Sequence, residues 1–295
     1  MRITQRAITQ TSLQGLNRNL AAVGRLQEQL TSGKTINKPS DSPTGTNRAM
    51  QTRQDSGAVA QHARNISDGK GWLDATDTAL QSALDQSRVV RNLTVQASNT
   101  GAVSGTAAQG IKVQIEGLRA SLLGLANKVD QGRPIFGGVT SGTVAYAADG
   151  TFVGRGGAEV TRRVSDSEAI RIDITGPEAF GADPDSDLFA TIDKIITAVG
   201  SQDSTGMSEG LAALDVVMNG MATALADIGT RAARMDTADE VNAGLQLTMA
   251  SQLADIENVD LPRTIMDLQM QQTGYQAALQ ATAQVIQPTL LDFLR

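Results

Sequence analysis

The sequence predicts a mainly α protein, in which long helices from both chain ends form coiled-coil or bundle layers, with a small inserted β-rich domain. Only 3% of the 295 residues are aromatic and 40% are apolar, so we expect an interior of Leu, Ile, Val, Met and Ala, the residues of packed helices. Apolar residues recur three and four positions apart near both chain ends. Between the two ends lies a Gly-rich stretch with short alternating runs, which is typical of β-hairpins.

The first helix is predicted over residues 13–30, where one apolar stripe follows helical spacing. Its members are Leu13, Leu16, Leu20, Val23, Leu26 and Leu30. Gly33 is expected to follow the helix end, since glycine adopts the left-handed conformation needed there. Ser42 and Pro43 are typical of the N-cap and first position of a second helix, which we expect to run to about residue 98. Residues 101–110 predict a flexible connection.

Heptad spacing becomes regular after this connection and indicates coiled-coil or bundle packing. One stripe consists of Ile111, Ile115, Leu118, Leu122, Leu125 and Val129, and a shorter one of Leu188, Ile192, Ile195 and Val199. The next runs from Met207 to Met235, after which the phase shifts to Val241. A last helix carries Leu261, Ile265, Leu268, Gln272, Tyr275, Leu279, Thr282 and Ile286 before Pro288. Any single stripe fits an ordinary bundle core, but the presence of stripes at both chain ends indicates that the two ends share a role.

The region between the helical segments has a different composition. Residues 132–181 contain ten glycines and four of the seven Phe and Tyr residues, namely Phe136, Tyr146, Phe152 and Phe180. This composition predicts a β-rich domain inserted into a helical one. We therefore expect three domains: residues 1–45 plus 256–295 as a terminal coiled coil, 46–131 plus 186–255 as a helical bundle, and 132–185 as the outer insert.

Composition also excludes several kinds of chemistry. The chain has no Cys, one His and a formal net charge of −6. It therefore has no thiolate metal site, disulfide or Cys nucleophile, and the acidic balance argues against nucleic-acid binding. No apolar run reaches the 18 residues expected of a membrane-spanning helix, so no membrane partner is expected.

Three motifs imitate functional sites without meeting their requirements. The Ser32–Thr35 stretch lacks the first glycine of a phosphate-binding loop, because Glu28 stands there. Asp183, Asp185 and Asp187 lack the glycine and Glu of a calcium loop and are expected to form a solvated turn. His62 has no carboxylate at helical spacing and is expected on the surface. The sequence therefore predicts no enzyme, no cofactor and no metal site.

The two chain ends carry opposite charge. Six basic residues against Glu28 give residues 1–38 a charge of +5, whereas residues 251–295 carry two basic and five acidic residues, or −3. We expect the two terminal helices to pair, because isolated helices are marginal in water. A pair this thin must pack against the body of the protein or against neighbouring copies. We therefore expect copies of the chain to polymerise into a helix or a ring through heterologous contacts.

Both ends also resemble a known family. Residues 30–43, LTSGKTINKPSDSP, resemble the N-terminal signature of the bacterial flagellin superfamily, and residues 37–43 are closer to its hook–filament junction branch than to filament flagellin. Residues 268–279, LQMQQTGYQAAL, and the ending LLDFLR resemble the same junction branch. Ser42 stands where the family commonly has a second Asp. A matching C-terminal helix argues against the alternative interpretation of the basic, Ser/Thr-rich N-terminus as an organellar transit peptide.

The resemblance implies a structural adaptor of the flagellum, assembled as a ring or tubular layer between the other hook-associated junction protein and the flagellin filament. It also implies an extracellular location, export without a cleaved signal, and an export chaperone as a further partner. A minor flagellin forming the filament itself is the first alternative, and a non-flagellar coiled-coil scaffold is the second. We expect the assembly interface to contain Leu13, Leu16, Leu20, Val23, Leu30, Leu261, Ile265, Leu268, Tyr275, Leu279, Ile286, Leu291 and Phe293.

Overall fold

The computed structural model describes residues 2–99 and 105–286. The helices and strands of these residues are α1 (Arg2–Ser32), α2 (Pro43–Ser98), α3 (Gly105–Ala126), β1 (Val129–Asp130), β2 (Arg133–Pro134), β3 (Thr161–Arg163), β4 (Ala169–Arg171), α4 (Gly176–Phe180), α5 (Leu188–Ser201), α6 (Ser204–Glu257) and α7 (Leu261–Ile286). Long helices dominate, and the strands are few and short. The predicted fold class is therefore confirmed.

The chain divides into two compact units. One, the terminal unit, consists of Met1–Ala58 and Leu245–Arg295, and the other, the central unit, of Val59–Gly244. Helices α2 and α6 contribute residues to both units. The finer division into three domains stays a prediction, since side chains of the predicted insert lie in the same core as those of α3 and α5.

Aromatic side chains of the insert meet α5 in the centre of the central unit. The ring centroids of Phe136 and Phe180 are 4.9 Å apart, and those of Tyr146 and Phe189 are 5.1 Å apart. Around them pack helical residues such as Leu122 and Ile192, each 0% exposed. The Phe and Tyr residues that the sequence concentrates in the insert therefore attach the insert to the helices.

Regular strand pairing in the insert is limited to two small hairpins, β1–β2 and β3–β4, both antiparallel. Much of the remaining backbone is held by turns and side chains. The Asn127 Oδ1 atom, for example, accepts hydrogen bonds from the backbone N–H groups of Ala145 and Tyr146, each at 2.8 Å.

The flexible connection predicted over residues 101–110 extends too far along the chain. α3 begins at Gly105, because helix-forming alanines continue the helix and Ala108 is buried.

The shift in heptad phase near residue 241 coincides with the end of the central core along α6. Met235 is 0% exposed, whereas Val241 and Leu245 are 60% and 41% exposed.

By length and composition alone, α6 could cross a membrane. A helix packed in a protein core meets the same criterion, and α6 places Met207, Leu214 and Met221 in the central core.

Candidate assembly interface

α1 and α7 pack against each other in the terminal unit, as the pairing of the two chain ends predicts. They run antiparallel, and a short backbone bridge joins the end of α1 to the segment before α7. Lys34 pairs with Asn258 in an antiparallel bridge, and the Val259 N–H donates to the Gly33 carbonyl oxygen at 3.1 Å. Further along, the Gln271 Nε2 atom donates to Asn19 Oδ1 at 3.2 Å. These contacts fix the register of the pair.

This register brings several predicted interface residues to the same level. Leu16 lies level with Tyr275, and Val23 with Leu268. All four are partly buried, so they belong to the seam between the two helices. The seam also contains residues that the apolar stripe missed, namely Asn19, Gln271 and the buried Thr264. Helical spacing from Leu16 and Leu268 could have found them, but their polar side chains break an apolar pattern.

The remaining predicted residues fall into two groups. Leu13, Leu20, Leu261, Ile265 and Leu279 are 42–52% exposed, away from the seam, and Leu30 is partly buried. The side chain of Ile286 and the whole of Leu291 and Phe293 lie outside the described residues. Large aliphatic side chains therefore remain exposed on a two-helix layer, which leaves that layer without a core of its own.

The loop between α1 and α2, residues 33–42, holds most of the signature and is called the signature loop here. Its own polar side chains hold it in place. Gly33 has φ 70°, the left-handed conformation that ends α1. The Asp41 Oδ2 atom accepts the backbone N–H groups of Asn37 and Lys38 at 3.1 and 2.9 Å. Ser42 Oγ accepts the Gly45 N–H at 3.1 Å, which confirms Ser42 as the N-cap of α2.

Glu257, at the end of α6, joins this loop to α2. Its side chain is only 7% exposed and its Oε2 and Oε1 atoms lie 2.9 Å from Lys34 Nζ and 2.5 Å from Arg53 Nη2. Burial raises the pKa of Glu257, but the hydrogen bonds and charges of Lys34 and Arg53 outweigh it and hold the pKa below its ordinary value. No sequence pattern predicts this triad, because Lys34 and Glu257 are 223 positions apart.

A cleft of about 530 Å³ opens on one side of the α1–α7 pair, where the signature loop lies over both helices. Its lining includes Ala22 and Gln29 of α1, Ile36 and Asp41 of the loop, and Met270 of α7. Met270 is 68% exposed. Most of the lining residues are polar or charged, including Arg25 of α1 and Asp267 of α7, and apolar residues such as Ile36 and Met270 form the smaller part.

Two expectations about the central unit are wrong. The His62 side chain is only 12% exposed and lies 3.9 Å from Asp166 Oδ1, because the β3–β4 hairpin folds onto α2. Asp187 is not solvated but 7% exposed, and its carboxylate caps α5 by accepting the Ala190 N–H at 2.8 Å. Burial raises the pKa of Asp187. Within residues 2–99 and 105–286, no group of three or more His, Asp or Glu side chains could hold a metal ion.

Comparison with known proteins found relatives that are similar to this chain in sequence and in fold. Residues 3–140 match the family described as the bacterial flagellin N-terminal helical region. Flagellar hook-associated protein 3 of Escherichia coli is 29% identical, with 95% of this chain and 96% of that protein covered. A flagellin of Bacillus subtilis is 25% identical over 100% of both chains. The solved structure of FlgL from Bacillus cereus, 22% identical, has a similar fold with a TM-score of 0.61 over 69% of this chain and 99% of that one.

Proposed function

We propose that the chain is a member of the flagellin superfamily and a structural component of the flagellar hook–filament junction, and that it polymerises there through its α1–α7 pair. In this proposal the copies form a ring or tubular layer, which acts as an adaptor between the other hook-associated protein and the flagellin filament. The observation that carries the proposal is the exposed apolar surface of the pair, where Leu13, Leu20 and Leu279 are each 42–52% exposed. Neighbouring copies would bury this surface.

The arrangement of layers extends the same proposal. The α1–α7 coiled coil forms the inner wall, residues 46–131 and 186–255 form the next layer, and residues 132–185 point outward. The protein acts by assembly and has no enzymatic role. It reaches the cell exterior with the assistance of an export chaperone. The absence of Cys suits passage from a reducing to an oxidising compartment.

A minor flagellin is the second candidate function, favoured by the match over the full length of the Bacillus subtilis flagellin. Gene deletion separates the two. An adaptor is required before filament can grow, so cells without it should carry hooks only and release flagellin monomer into the medium. Intact filaments on the deletion strain would contradict the adaptor role and favour the minor flagellin.

A point variant tests the interface itself. Leu268→Asp introduces a charge at the seam of α1 and α7, level with Val23, and should abolish incorporation into flagella of the deletion strain. Gln269→Asp is the matched control, because Gln269 is the exposed neighbour on the same helix, and should be incorporated. Circular dichroism should show cooperative unfolding of the central unit in both variants. Equal incorporation of both would refute the role of the α1–α7 pair in assembly.

A further inference from the structure

The long helices α2 and α6 run antiparallel, and two contacts give their register. The Asn242 Nδ2 atom donates to the Val59 carbonyl oxygen at 3.0 Å, and Lys70 Nζ lies 2.7 Å from Asp236 Oδ1. Asn242 is only 3% exposed and follows the buried Met235 by seven residues, which places both on the same side of α6. The side of α6 that enters the central core therefore ends in a buried polar residue.

Past Asn242 the two helices bury very little apolar surface. We call residues 50–58 of α2 and 245–252 of α6 the neck. Thr52 is buried there, Ser56 and Met249 are partly buried, and every other residue of the neck is exposed. The neck therefore has low local stability, because packing of apolar side chains supplies most of the stability of helices in proteins.

Each helix has a glycine where the neck meets the central core. Gly57 precedes Val59 by two residues and Gly244 follows Asn242 by two, so the antiparallel register puts both glycines at one level. A Cβ atom at either position would meet nothing within 4 Å, so close packing does not require glycine there. A glycine inside a helix costs about 1 kcal/mol relative to alanine. Ser56 directly precedes Gly57, and serine–glycine pairs are among the places where helices kink.

Ion pairs join α2 to α6 on both sides of the two glycines. Within the terminal unit, Arg53 Nη2 lies 2.5 Å from Glu257 Oε1. Within the central unit, Lys70 Nζ lies 2.7 Å from Asp236 Oδ1. The two helices are therefore held side by side before and after this level, so that a bend in one helix is followed by the other.

We propose that α2 and α6 bend together at the level of Gly57 and Gly244, which gives the chain a flexible joint between its central core and its α1–α7 pair. The division of the chain into compact units falls at the same residues, after Ala58 and after Gly244. The joint lets the α1–α7 pair change direction while the central core stays intact. It is a property of the single chain, so it is tested independently of the proposed function.

Spin labels measure the joint in the purified full-length monomer, because the chain has no Cys of its own and introduced ones can be labelled selectively. In one protein, Cys replaces Ala233 of α6 and Gln269 of α7, and the two labels span the joint. In a second protein, Cys replaces Ala212 and Ala233, which both precede the joint on α6. All three positions are exposed. Double electron–electron resonance gives the distribution of distances for each pair.

The pair that spans the joint should give a distribution about twice as wide as the pair within α6. Gly57→Ala combined with Gly244→Ala should narrow the wide distribution by about a third, because alanine stiffens a helix at both positions. Gly71→Ala combined with Gly229→Ala is the matched control. Those glycines lie in the same two helices within the central unit and have the same open space for a Cβ atom, so this variant should leave the width unchanged.

Hydrogen exchange provides a second measurement on the same monomer. Backbone amides of the neck should exchange about tenfold faster than amides of α2 and α6 that lie beside the central core, because the neck opens locally. Equal exchange rates in the two parts would contradict a joint at this level.

Three results of the label experiment would also overturn the inference. The first is equal width for the two label pairs in the protein that keeps both glycines. The second is equal narrowing by the two alanine variants, since the position of the glycines would then not matter. The third is no narrowing by Gly57→Ala with Gly244→Ala, since the flexibility would then lie elsewhere in the chain. None of these results bears on incorporation into flagella, which tests the proposed function.

Discussion

The central unit and the α1–α7 pair bury their apolar residues to very different extents. Phe136, Leu122 and Ile192 in the central unit are 0% exposed, whereas Leu20 of α1 and Ile265 of α7 are 52% and 46% exposed. Within the described side chains of these two helices, only Thr264 is buried, with 7% of its surface exposed. The central unit therefore supplies its own core. The pair offers a surface that other copies can complete, so its stability depends on assembly.

The largest expected effect concerns the central unit. Phe180→Ala removes a side chain that is 0% exposed and packs edge-on against Phe136, so it should lower the free energy of unfolding by about 3–5 kcal/mol. Leu279→Ala in the pair should change it by less than about 1 kcal/mol, because that side chain is 42% exposed. Urea denaturation of the monomer measures both. Equal losses would show that the pair shares the cooperative core of the central unit.

A smaller effect is expected at the Glu257 triad, which holds the terminal unit together. Glu257→Gln keeps the shape but removes the charge that faces Lys34 and Arg53. These two side chains are 46% and 53% exposed, so the loss should be about 1–2 kcal/mol rather than that of a fully buried pair. Hydrogen exchange at the Thr35 and Val259 amides, which form the bridge to α7, measures it. Glu28→Gln, at an exposed ion pair, is the control and should change little.

The same triad predicts a pH dependence. The pKa of Glu257 in the folded chain lies below its ordinary value of 4.5, so its stabilisation is complete above that value and is lost as the pH falls through the lowered folded pKa. Amide protection in wild-type protein should therefore decrease on acidification below about pH 4.5, and the Glu257→Gln variant should lack this component. Identical acid profiles would mean that the triad contributes nothing to the terminal unit.

The smallest effect is expected at Gly33. Its φ of 70° is costly for any residue with a Cβ atom, so Gly33→Ala should destabilise the end of α1 by about 1 kcal/mol. Gly24, inside α1, has open space where a Cβ atom would lie, and Gly24→Ala should stabilise the helix by about 0.5–1 kcal/mol. Hydrogen exchange in α1 should thus change in opposite directions. The same direction for both would contradict the assigned end of α1.

Local signals predicted most of the helices, although α1 begins at Arg2 rather than near Leu13, and Val129, the last member of one predicted helical stripe, lies in β1. Ser42 and Pro43 marked the start of α2, and the stripe from Leu261 to Ile286 matches α7 as found, because caps and apolar spacing act within one or two turns. The same signals predicted too much strand in the insert. There the short runs pair over only two or three residues, and side chains such as Asn127 satisfy part of the remaining backbone.

Polar contacts between distant parts of the sequence were not predictable. The triad of Lys34, Arg53 and Glu257 and the burial of His62 against the β3–β4 hairpin both depend on which residues the fold brings together. No spacing rule connects positions 223 residues apart. The exposure of individual stripe residues was also not predictable, because the same apolar stripe contains Leu16, which is partly buried in the seam, and Leu20, which is 52% exposed.

The sequence by itself determined that the chain is a mainly α protein with adhesive helices at both ends, because apolar spacing, caps and composition are local properties. It also carried residues at both ends that resemble the flagellin superfamily. The tertiary structure alone decided which side of each stripe is covered and which stays exposed. That choice depends on the antiparallel register of α1 and α7, set by backbone bonds at Gly33 and Lys34 and by the Asn19–Gln271 contact. The register arises only when both chain ends meet in space.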